Sequence, residues 1–163
     1  AQNDLEAQAS RGNIDWIFVA FHRPMTGPDS DHANNEENQI ETYMDMFLQN
    51  GVNLVLCGHN HIWYRSYPIK HGSGSSVSKV INGDGPYTVG DPNPWLISVI
   101  SGTGGHDSGS SLYDLDSTPS HSAYQNNTNN GILSIEASNN GQTLTCKFIN
   151  TDNSTKHTWV MNK

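Results

Sequence analysis

The sequence has 163 residues, with 8 Lys and Arg against 16 Asp and Glu, so its net charge is -8 with the histidines neutral. That is the length of one ordinary domain, taken as residues 1–163, with enough apolar residues for a single core of modest size. The acidic balance argues against nucleic-acid binding, which rests on Lys and Arg neutralising phosphates, and the longest apolar run, Trp16 to Phe21, is too short for a membrane span.

In chain order, Asn3 to Arg11 reads as the tail of a helix. A chain opening on Ala1 without Met is expected to have lost something upstream. The segment Asp15 to Phe21 is a short, continuous apolar run of the kind buried on both faces, so it predicts an inner strand, ended sharply by His22-Arg-Pro24. A polar loop from Met25 to Asn34 follows. Ile40, Tyr43, Met44, Phe47 and Leu48 then recur at helical spacing, with Gly51 placed as the stop. Val52 to Cys57 supplies a second buried strand, and strand, helix and strand with short joins predict a parallel βαβ unit.

Residues Lys70 to Pro94 are rich in Gly, Ser, Asn and Pro and read as an irregular excursion with room for one short strand. Trp95 to Ile100 returns to the core as a strand, closing in the turn Ser101-Gly-Thr-Gly-Gly105, after which a polar loop runs to Asn130. The end reads as antiparallel strands, Ile132 to Glu136, Thr143 to Ile149 and His157 to Met161, joined by turns at Asn139-Asn-Gly141 and Thr151 to Ser154.

Only Cys57 and Cys146 are available, so either one bridge or two free thiols is open, with Cys57 ending an apolar run as a buried thiol does. Two sequons, Asn126-Asn-Thr128 and Asn153-Ser-Thr155, suit an exported glycoprotein.

Ligands of open α/β sheets collect beyond the carboxyl ends of parallel strands, and here both such strands run into histidine. His22 follows the first strand, and Gly58-His-Asn-His61 follows the second, with Gly58 expected to allow the sharp turn. In extended chain His59 and His61 would point the same way, so three imidazoles could serve a metal such as zinc or iron. A lone strand-end histidine is more often a hydrogen-bonded surface residue. The pairing of Gly-His-x-His with an independent histidine on the neighbouring strand favours a metal site.

The runs Trp16 to Pro24 and Gly51 to His61 resemble the last two metal motifs of calcineurin-like metallophosphoesterases, the purple acid phosphatases most closely. Arg65-Ser-Tyr-Pro68 and the turn at 102–105 are similar to that family too. The resemblance covers nearly all of the chain but only the second half of a family catalytic domain. It implies an α/β fold, the C-terminal half of a four-layer α/β/β/α sandwich with a parallel βαβ unit followed by antiparallel strands. It also implies a secreted enzyme that hydrolyses phosphate esters at a dinuclear centre through a metal-bound hydroxide.

By the same resemblance His22 and His59 bind the divalent metal and His61 the second, the pair being iron with zinc, manganese or another iron. His32 stands where plant members carry a histidine that contacts the phosphate and protonates the leaving oxygen, making it both catalytic and substrate-binding; a solvated loop histidine is the other reading. The aspartates, the tyrosine and the Asn-His pair of the earlier motifs have no counterpart. Three neutral imidazoles cannot balance two multivalent cations, so this fragment alone is expected to be inactive and to need the N-terminal half of the same protein or a companion chain. Gly83-Asp-Gly-Pro-Tyr87 fits the family's Gly-Asp-x-x-Tyr pattern, but reads better as a turn. A non-catalytic extracellular binding or assembly module on the same fold is the alternative, and a mononuclear zinc hydrolase is a third.

Overall fold

The computed structural model describes residues 2–28, 37–74, 76–90, 94–105, 115 and 118–163. Helix α1 (Gln2–Ala9) precedes strand β1 (Ile17–Phe21), helix α2 (Glu37–Gln49) and strand β2 (Val52–Cys57). Six shorter strands follow: β3 (Trp63–Ser66), β4 (Ile69–His71), β5 (Val77–Lys79), β6 (Tyr87–Thr88), β7 (Ile97–Ser101) and β8 (Ser122–Asn126). The chain closes on β9 (Gly131–Ser138), β10 (Thr143–Asn150) and β11 (Thr155–Asn162).

Two sheets carry the fold. The first runs β1-β2-β7-β3-β8 and the second β6-β11-β10-β9, while β4 and β5 form a separate hairpin. β1 and β2 are parallel, as the βαβ pattern predicts; β7 lies parallel to β2 as well, and β3 and β8 are antiparallel additions. Because side chains alternate across a strand, β2 sends Val55 and Cys57 toward Met44 and Phe47 of α2, and Leu54 toward the second sheet. Phe148 and Cys146 of β10 and Trp159 and Met161 of β11 meet Leu54, Trp63, Ile97 and Val99 from the other side. The layering is thus helix, sheet, sheet, the mixed α/β architecture expected. Among the described residues no helix covers the outer face of the second sheet.

Helix α2 ends where Gly51 takes a left-handed φ of 69°, the conformation that suits glycine after a helix. The β9–β10 turn places Asn139 and Asn140 at φ 53° and 54°, matching the twist of the hairpin. No helix among the described residues is long and apolar enough to cross a membrane.

Four elements differ from the sequence reading. β1 is an edge strand, not an inner one: its residues alternate between half-buried and exposed, and Phe18 is 40% exposed. The apolar run prepares both faces for burial, yet among the described residues only β2 pairs with it. β3, fully buried, is hidden in the sequence because Arg65 and Ser66 break the apolar pattern. β8 has no apolar run at all and is held by pairing with β3. The excursion over 70–94 contains most of three short strands, β4, β5 and β6, where one was expected. Cys57 and Cys146 are buried free thiols, each in a different apolar cluster on opposite faces of the first sheet.

Candidate metal centre

The carboxyl ends of β1, β2 and β7 lie along one edge of the first sheet, since the three strands are parallel neighbours. This edge collects His22 after β1, Gly58 to His61 after β2, and the turn after β7. The first two loops are joined by a backbone bond in which Gly58 N–H donates to the His22 carbonyl at 3.1 Å. Their imidazoles meet: His59 Nδ1 and His22 Nε2 are 3.2 Å apart, with ring centroids 5.0 Å apart and planes at 73°.

That separation bears on metal binding. Two nitrogens on one tetrahedral zinc, each about 2.0–2.1 Å from it, lie roughly 3.3 Å from one another. The His22–His59 pair therefore already has the spacing of two ligands of a single ion. Without an ion, the same geometry is a hydrogen bond between one protonated and one bare ring nitrogen.

His61 is placed differently from the sequence argument. The left-handed residue of this loop is His59, with φ 62°, and not Gly58. Asn60 N–H donates to the Gly58 carbonyl at 2.9 Å and Ile62 N–H to the Asn60 carbonyl at 2.8 Å, so the loop is a pair of tight turns and not an extended chain. The rule that residues two apart face the same way does not apply here. His61 is half-buried on the same loop, and no group of three or more His, Cys, Asp or Glu among the described residues is arranged to hold a metal ion. Among the described residues, the histidines fit part of one metal site and, with no carboxylate grouped beside them, do not by themselves fit a dinuclear centre. His32 lies outside the described residues.

Gly83 to Tyr87 has its own occupation. The fully buried Arg65 donates from Nη1 to Tyr87 Oη at 2.9 Å, Tyr87 Oη donates to the Gly83 carbonyl at 2.8 Å, and Asp84 stands 3.8 Å from Arg65 Nη2. The acid and the phenol of that segment thus serve an arginine between the two sheets. Burial pushes the Tyr87 hydroxyl above its usual range, against the pull of Arg65, so it stays protonated and able to donate.

Beside His22 runs a groove of about 620 Å³ lined by Leu5, Phe18, Phe21, His22, Tyr43 and Phe47. It follows the open flank of β1 and is mainly apolar in its side chains. The feature that sequence reasoning missed is the role of the turn after β7, which packs directly on the histidine loop. A glycine following the third parallel strand of the site edge was the available signal.

The family described as iron/zinc purple acid phosphatase-like protein C matches residues 96–158, a segment from β7 into β11 that does not include the three histidines. A phosphoenolpyruvate phosphatase of Allium cepa is 29% identical over 119 residues, 72% of this chain and 23% of its own length. Purple acid phosphatase 19 of Arabidopsis thaliana is 28% identical over 118 residues, 72% of this chain and 29% of its own. Among solved structures, the purple acid phosphatase PPD1 from yellow lupin seeds superposes with a TM-score of 0.80 at 16% identity, covering 99% of this chain and 27% of that one. The GAP50 anchor of the Plasmodium inner membrane complex shares the fold with a TM-score of 0.67 at 18% identity, covering 99% of this chain and 42% of that one. The chain spans between 20% and 29% of the length of these curated relatives and of an uncharacterised mycobacterial one.

Proposed function

We propose, on the premise that this chain is a purple acid phosphatase-like C-terminal region, that it contributes histidine ligands to a two-metal centre hydrolysing phosphate esters. The single observation carrying this reading is the 3.2 Å spacing of His22 Nε2 and His59 Nδ1 at the carboxyl edge of parallel strands. His22 and His59 would share one divalent ion, zinc, manganese or iron, and His61 would serve a neighbouring iron. Such ions, when bound, neutralise the phosphate's charge and lower the pKa of water toward neutrality. His32 is the proposed acid for the leaving oxygen.

The missing carboxylates would come from an N-terminal half or a companion chain. Support comes from the shares of the relatives' length quoted above and from the open flank of β1, where the Phe18 side chain and the neighbouring groove are uncovered. An extracellular, glycosylated protein is part of the proposal, with the two sequons as its support. The second reading, a non-catalytic assembly module, is favoured by the same apolar flank.

Zinc competition titration of the chain, alone and with its completing half, tests the proposal. Weak binding alone that is lost in His22→Ala and in His59→Ala, and two metals with phosphatase activity in the completed protein, are the expected results. A completed protein that binds no metal would leave the assembly reading in its place.

A further inference from the structure

We propose that Gly102 is a positioning residue for the histidine loop, setting the direction in which His59 presents its ring to His22. The inference builds on the reading of those two histidines as ligands of one ion, but stands on the backbone contact described next. Gly102 N–H donates to the Ile62 carbonyl at 3.2 Å. A Cβ added at Gly102 would lie 1.9 Å from the Asn60 carbonyl oxygen, 2.9 Å from its carbonyl carbon and 3.5 Å from His61 Cα. These are backbone atoms, so no side-chain rotation relieves the overlap. Restoring ordinary contact distances requires the two loops to part by about 1 Å or more.

Neither loop can yield cheaply. Asn60 and Ile62 are fully buried on one side and Thr103 on the other, so separation would uncover packed interior. His59 sits between two fixed points, the Gly58 amide tied to the His22 carbonyl and the Asn60 carbonyl covered by Gly102. Its left-handed backbone at φ 62° is unfavourable for a side-chain-bearing residue and persists only while both neighbours hold it. Moving the Asn60 carbonyl frees His59 to relax, and the imidazole then swings from its partner.

The test compares Gly102→Ala with Gly105→Ala, a control in the same turn whose added Cβ meets nothing within 4 Å. Two readouts are taken on the full chain: imidazole nitrogen–proton spectra of the metal-free protein, and zinc affinity by competition. Gly102→Ala is expected to shift the His22 and His59 ring resonances and weaken zinc binding about tenfold or more, as losses of ligand-orienting contacts do; Gly105→Ala is expected to change neither. A folded Gly102→Ala protein with parental His22 and His59 resonances overturns the proposal, and a role confined to stability would give that result with a lowered Tm. If the parent chain binds no zinc, the metal reading fails while the ring resonances still decide the positioning role. If Gly102→Ala does not fold, amide exchange of the unmodified chain decides. Protection of the Gly102 amide like that of Val99 supports the anchor, and exchange as fast as the exposed Gly105 amide overturns it.

Discussion

Arg65 Nε donates to His157 Nε2 at 3.0 Å, joining β3 of the first sheet to β11 of the second through the core. The bond requires His157 to be neutral, with its proton on Nδ1, because a nitrogen that accepts from a guanidinium cannot carry hydrogen. Burial, and then the nearby Arg65 charge, push the imidazole down to about 4, with Asp84 pulling weakly the other way. The ring is stacked on Tyr124 at 4.3 Å with planes 6° apart, which fixes its plane.

Stability should follow the sign of that shift. The folded pKa of about 4 lies below the ordinary 6.5, so between these values the unfolded chain binds a proton that the folded chain refuses. The contribution of neutral His157 is full above about pH 6.5 and is lost progressively as the pH falls toward 4. After allowance for its partial exposure, a loss of about 2 kcal/mol is expected across the window. Urea unfolding of the parent and of His157→Gln at pH 7, 5.5 and 4.5 checks it. The glutamine variant should show a shallower pH dependence, and parallel curves would exclude His157 as the titrating group.

Removing the two ends of the Arg65–Asp84 ion pair, one buried and one exposed, should have unequal consequences. Arg65 is 0% exposed and lies over the rings of Tyr87 and Trp159 at 5.6 and 5.2 Å, whereas Asp84 is 77% exposed at 3.8 Å. Arg65→Met leaves His157 Nε2 buried without a donor and is expected to cost about 2–3 kcal/mol. Asp84→Asn removes only a screened surface partner and should cost under about 1 kcal/mol. Denaturant midpoints of the two variants measure this, and equal losses would mean that the carboxylate does more than its exposure allows.

What the sequence made legible was periodicity. Helix α2 and the three C-terminal strands declare themselves because their apolar residues repeat with the period of the element, and Val52 to Cys57 because it is a short apolar run of strand length. β3 does not, since its central residue is an arginine whose burial depends on Tyr87, Trp159 and His157 arriving from 22 to 94 positions away in the chain. The same division holds at the site. That His22 and His59 stand at neighbouring strand ends follows from the βαβ pattern, but the turn inside Gly58 to His61 is set by the chain that packs on it. The left-handed φ at His59, and not at Gly58, is therefore invisible until Gly102 is seen against Asn60.

The two thiols should be inert in the folded protein. Burial raises the Cys146 thiol to about 12, so at pH 8 only about one part in ten thousand is the reactive thiolate. Cys57 is 6% exposed in the other cluster and is expected to be shielded by access alone. Alkylation under native conditions at pH 8 should modify neither within an hour, and alkylation in denaturant should modify both. A mass gain on reduction, from the two hydrogens added across a bridge, would contradict the free thiols on opposite faces of the first sheet.

The edge position of β1 makes the last prediction depend on context. Phe18 is 40% exposed here, so Phe18→Lys should change the unfolding free energy of this chain by no more than about 0.5 kcal/mol. Lysine on an open edge strand also discourages strand-to-strand association, so the variant should show less concentration-dependent self-association in sedimentation. If, as proposed, an N-terminal half or companion chain docks on the flank of β1, it covers Phe18. The same substitution should then cost about 2–3 kcal/mol, the value of burying such a side chain. A neutral effect in both settings would mean that the flank of β1 is not the surface on which the proposed partner docks.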